Sequence, residues 1–182
     1  MQHNMTQEQK LADIEYLSYI NQNGELPDVL QGKIGVYAIF NREKNLQFIG
    51  NSRNIYTSLK QHLVRQPQLC YWVKAQTIEL PSRRFLEKIQ QAWIDENEAI
   101  PIGNGKNKRI WTHPIDIQML LTPEEKENYD NYMNDEITKI KIIKDVARRV
   151  EAEILHILEK RGLRMQIRFH PKLKESGLLD LK

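Results

Sequence analysis

Apolar positions along the chain switch several times between helical and strand spacing. Leu11, Ile14, Leu17 and Ile20 recur every three residues after Thr6-Gln7-Glu8-Gln9, which has the form of a capping box. Gly24 and Pro27 close that run, so residues 1–28 are expected to form an N-terminal amphipathic helix. Ile34 to Phe40 and Leu46 to Gly50 are β-rich and flank the polar turn Asn41 to Asn45, which predicts a hairpin. Ile55, Leu59 and Leu63 then space a helix that starts at Asn54 and stops before Pro67. A third strand is expected over Tyr71 to Leu80, and a helix capped by Ser82 with Leu86, Ile89 and Trp93 on one face.

Beyond Pro101 the pattern loosens into a basic, glycine-rich loop, Gly103 to Arg109. Ile115, Ile117, Met119 and Leu121 alternate as a strand would. Thr122-Pro123-Glu124-Glu125 combines a capping threonine, a first-turn proline and a glutamate three residues on, a helix start. Helical spacing runs on to Arg161-Gly162 with a break near Asn131 to Asn134, and Leu163, Met165, Ile167 and Phe169 alternate as a last strand. The fold class expected is α+β: a small, mostly antiparallel three-stranded sheet with helices packed on it. A helical C-terminal extension ending in a strand follows. Residues 1–28, 29–110 and 111–182 are the expected divisions.

Composition narrows the function less than pattern does. Of 182 residues, 28% are charged and 40% hydrophobic, and Lys plus Arg exceed Asp plus Glu by 27 to 24. A net charge of +3 is too small to argue for nucleic acid unless the cations cluster. The lone cysteine, Cys70, excludes an intrachain disulfide and a cysteine-based zinc site. No apolar run approaches the length of a membrane span, and the polar start is unlike a signal peptide, so a cytoplasmic protein is expected.

The hairpin carries Gly35-Val36-Tyr37 and, eleven residues after Tyr37, Phe48-Ile49-Gly50, with a helix immediately after. This order of strand, turn, strand and helix resembles the GIY-YIG nuclease superfamily over roughly residues 34–104. Leu46 to Gly50, Ser52 to Ile55, His62-Leu63, Leu69-Cys70, Val73-Lys74 and Pro101 to Asn104 further resemble the amino-terminal GIY-YIG-like domain of plant plastid monothiol glutaredoxins. That likeness implies a cyanobacterial or similar origin.

The resemblance implies an endonuclease-like, nucleic-acid-binding protein acting on DNA or another nucleic acid with Mg or Mn. Tyr37 matches the family's first tyrosine, which handles the proton of the attacking water, and His62 matches its helper on the helix. Three family positions are altered: Phe48 lacks the second hydroxyl, Ser58 stands where an arginine steadies phosphate, and Gln90 stands at the metal glutamate. Glu87, three residues earlier, is the substitute metal carboxylate, and Arg53 and Lys60 are substitute phosphate contacts. Lys106, Lys108 and Arg109 are further substrate-binding candidates.

Each of these has an ordinary alternative: a cross-strand aromatic for Tyr37, a surface role for His62, solvated charges for the lysines and arginines. Lys139, Lys141, Lys144, Arg148 and Arg149 form either a nucleic-acid-facing strip or a solvated face. The apolar stripe of the same helix either packs internally or seams a homodimer or protein partner. The competing function is an inert scaffold serving as a protein-interaction or redox-linked module, in which Cys70 is either the redox thiol or, by default, a buried and inert one.

Overall fold

The computed structural model describes residues 8–79 and 82–182, and the chain divides into two compact units, residues 1–112 and 113–182. Thr6 and Gln7 of the expected capping box, and Leu80, lie outside the described residues.

The first unit is built on the sheet β1 (Leu17–Ser18), β2 (Ile34–Phe40), β3 (Leu46–Ser52) and β4 (Trp72–Ile78), in the antiparallel order β1-β4-β2-β3. The expected hairpin is β2–β3, with Tyr37 opposite Gly50 on one side and Ala75 on the other. Both glycines of the two tripeptides are required by close approach. A Cβ on Gly35 would sit 2.1 Å from the Gln76 carbonyl oxygen, and one on Gly50 would sit 2.7 Å from the Tyr37 hydroxyl.

Helix α1 (Ile55–Arg65) begins at Asn54, whose side chain accepts from the Thr57 amide, and buries Ile55, Leu59 and Leu63. Helix α2 (Arg83–Glu96) begins at Ser82, which accepts from the Phe85 amide, and buries Leu86, Ile89 and Trp93. These three join Val36, Ala38, Phe40 and Ile49 in one apolar cluster under the sheet.

The N-terminal helix does not form over the described residues. The segment makes two 3₁₀ turns, Leu11–Asp13 and Asp28–Leu30, and the short edge strand β1. Its backbone is claimed by the rest of the unit: Glu96 accepts from the Leu11 and Ala12 amides, Lys74 donates to the Leu11 carbonyl, and Trp93 donates to that of Gln9. Those partners outweigh a helix ladder that the three-residue spacing alone suggested. The sheet therefore has a fourth strand beyond the three expected.

The basic loop also differs, because Lys108 and Arg109 open helix α3 (Lys108–Thr112). Trp111, fully buried, anchors it, and Arg65 and Gln66 donate to the Trp111 and Ile110 carbonyls, which a short helix leaves without internal partners.

The second unit holds β5 (Ile115–Asp116), α4 (Pro123–Asp130), α5 (Glu136–Lys160), α6 (Pro171–Glu175) and β6 (Leu178–Leu179). The capping box of Thr122 and Glu125 is present, and Gly162 ends α5 at φ 88°. The strand expected over Ile115 to Leu121 stops after two residues. The Asp116 side chain accepts from the Gln118 amide and starts a 3₁₀ turn instead. Residues 163–169 keep alternating burial, but no neighbouring strand runs alongside, so only Phe169 pairs, with Leu181.

The apolar stripe of α5, from Ile143 to Leu158, is buried within the chain. Its cations are largely engaged: Lys144 with Glu175, Arg148 with Asp145, Arg149 with Glu125 and Glu153, and Lys139 over the Tyr129 ring. No helix among the described residues is long and apolar enough to cross a membrane.

Candidate functional site

A cleft of about 930 Å³ opens in the first unit between the β2–β3 hairpin, α1, α2 and α3. Tyr37 and Phe48 reach it from facing strands, Ser58, His62 and Arg65 from α1, Glu87 and Gln90 from α2, and Lys108 from α3. At its floor the Tyr37 hydroxyl and His62 Nε2 are hydrogen-bonded at 2.9 Å. Phe48 stacks flat on Trp111 at 5.4 Å between ring centres and also packs on His62. Phe48 is thus one ring of an aromatic floor.

Both members of the hydrogen-bonded pair are buried, at 3% and 4% exposure. Burial pushes the Tyr37 phenol well above its ordinary range, against the opposing pull of the Ser58 hydroxyl and the Arg65 charge. Burial, reinforced by Arg65, pushes His62 down to about 3, and the Trp111 backbone only partly offsets this. Tyr37 therefore holds its proton and His62 stays neutral at neutral pH.

Gln90 is engaged at both ends. Its amide donates to the Ile49 carbonyl at 2.9 Å, and its carbonyl oxygen accepts from Asn51. It clips α2 to the outer strand. Asn104 completes the same edge: its oxygen accepts from the Ile49 amide and its nitrogen donates to the Ile49 carbonyl, each at 2.7 Å. The Gly103 amide donates to the Gln47 carbonyl, where a side chain would collide at 2.6 Å. This loop covers the free edge of β3 as another strand would.

The Gln90 amide oxygen already accepts from Asn51, and Glu87, which lines the cleft, is half exposed and paired with Arg83 at 2.7 Å. Among the described residues no three His, Cys, Asp or Glu side chains gather to hold an ion. No step through a metal is derived from this geometry.

The other candidates divide. Arg53 and Lys60 do not line the cleft: Arg53 precedes the α1 cap, and Lys60 lies roughly 200° around the helix from Ser58. Lys106 and Arg109 are exposed outside it, and only Lys108 of the basic stretch faces in. Cys70 is fully buried, its thiol donating to the His62 carbonyl at 3.5 Å. Arg65 is the residue that reading by family position missed. The signal was its spacing, since residues 58, 62 and 65 share one face of a helix.

No family model matches the chain. The chain is 37% identical over 93 residues to a protein of Arabidopsis thaliana described as "Bifunctional monothiol glutaredoxin-S16, chloroplastic". The match covers 48% of this chain and 32% of that protein, so the chain spans about a third of the relative's length.

Proposed function

We propose that the first unit is a GIY-YIG-type domain whose cleft binds nucleic acid and whose cleavage chemistry is reduced to weak or absent. The observation that carries this reading is the Tyr37–His62 hydrogen bond at the floor of the cleft, on the strand and helix where the resemblance calls for them. The clipped amide of Gln90 and the suppressed ionisation of both floor residues support the loss of chemistry. Losing one preorganised charge stabiliser costs about 10²–10³ in rate, and metal-derived stabilisation is worth several kcal/mol more. The test is nicking of supercoiled plasmid with Mg²⁺ or Mn²⁺ alongside an oligonucleotide-binding titration. Binding with little or no nicking is expected. Robust nicking that Tyr37→Phe abolishes would overturn the loss of chemistry.

A second reading is favoured by one feature of the cleft. Its α2 wall presents Glu87 and Asp95, with Glu98 just beyond the helix, and these carboxylates repel a polyanion. An inert scaffold that binds a protein partner fits that wall. Absence of oligonucleotide binding at low salt would select it.

A further inference from the structure

Ser58 leaves the cleft without an arginine at the point where the resemblance expects one. Arg65 lies seven residues on, two helical turns along the same face of α1, and its side chain lines the same cleft as Ser58 and His62. Its position is fixed rather than loose, because one guanidinium nitrogen donates to the Trp111 carbonyl at 3.1 Å. Trp111 is itself stacked on Phe48, so the cation is tied to the aromatic floor. Lys108, four residues before Thr112 on the helix that Trp111 anchors, brings a second cation to the same opening. The cleft is consequently polarised by element: Arg65 and Lys108 reach it from α1 and α3, and Glu87, Asp95 and Glu98 from α2 and the turn after it.

We infer that Arg65, with Lys108, is the anion contact of this cleft and takes phosphoryl oxygens on its α1–α3 wall. A planar guanidinium suits two oxygens of one phosphate, and a lysine adds a point charge beside it. A phosphate-bearing chain enters along that wall, because the carboxylates of the α2 wall repel it. This deepens the nucleic-acid reading and rests on it for the class of ligand. The contact itself stands on the placement of the two cations.

The experiment titrates the full chain with inorganic pyrophosphate and with a mixed-sequence single-stranded oligonucleotide, following binding by NMR shifts and fluorescence anisotropy. Arg65→Gln is expected to weaken oligonucleotide binding at least tenfold, and Lys108→Gln severalfold. Arg42→Gln, on the far turn of the hairpin, should leave affinity within twofold. Because Arg65→Gln also loses the bond to the Trp111 carbonyl, Arg65→Lys and the exposed Lys108→Gln test the same contact with less risk to the fold. Oligonucleotide binding indifferent to Arg65→Lys and Lys108→Gln overturns the anion contact while leaving the nucleic-acid reading in place. Pyrophosphate binding that depends on both residues, without oligonucleotide binding, supports the contact and overturns that reading. Binding of neither probe overturns both.

Discussion

His62 is held neutral by its surroundings, and that has a consequence in acid. An unfolded histidine titrates near about 6.5, whereas burial and Arg65 hold the folded one at about 3. Between those values the unfolded chain takes up a proton that the folded chain refuses, so stability falls as pH drops from about 6.5 toward about 3. The effect is on the order of a few kcal/mol over the full window. Urea midpoints of wild type and His62→Gln at pH 7.5 and 4.5 measure it. The substitution removes the Tyr37 hydrogen bond at both pH values, but only wild type carries the histidine's share of the acid loss. An equal drop in both proteins would mean that His62 is not held neutral.

At the scale of elements, the outer strand β3 shows how a loop serves in place of a neighbour. Ile49 is fully buried, and its outward amide and carbonyl both bond the Asn104 side chain. Asn104→Ala strands a buried amide, at a cost of about 1–3 kcal/mol. Asn104→Asp keeps the acceptor for that amide but turns a carboxylate oxygen against the Ile49 carbonyl, so it is expected to destabilise as well. Hydrogen exchange at the Ile49 amide separates the two: fast in the alanine variant, slower in the aspartate variant, where that amide keeps its acceptor. Equal protection in all three proteins would deny the loop its role.

The elements that were legible in the sequence are those whose signals are local. Asn54, Ser82 and Thr122 cap helices where they were expected to, and Gly162 ends α5. The N-terminal segment was misread because its backbone partners, Glu96, Lys74 and Trp93, are more than sixty residues away and leave no trace in its own periodicity. Residues 163–169 failed for a related reason. Alternation reports one buried face, but a strand also needs a neighbour to pair with. In the site, Tyr37 and His62 stood out only through the resemblance that the two tripeptides and the following helix carry. Arg65 shares a helix face with residues 58 and 62, but its place in the cleft also depends on α3, where the sequence read as a loop.

For the molecule as a whole, the net charge of +3 hides how few cations are placed to meet a polyanion. The basic run of α5 is mostly committed to nearby carboxylates, with Arg149 holding Glu125 through two bonds of 2.7 and 2.8 Å. The cleft contributes two cations, Arg65 and Lys108. Binding to single strands lowers log K with log salt by roughly 0.7 per phosphate neutralised, so two contacts predict a slope of about −1 to −2. A surface built from the whole basic run, Lys139 to Arg149, would give a slope of about −3 to −4. Oligonucleotide affinity measured from 25 to 200 mM salt decides between them, with Lys144→Gln and Arg148→Gln as the matching variants in α5. A shallow slope unmoved by those variants places binding in the first unit's cleft. A slope of about −3 or steeper that flattens in the variants would move the binding surface to α5 and leave the cleft to another ligand.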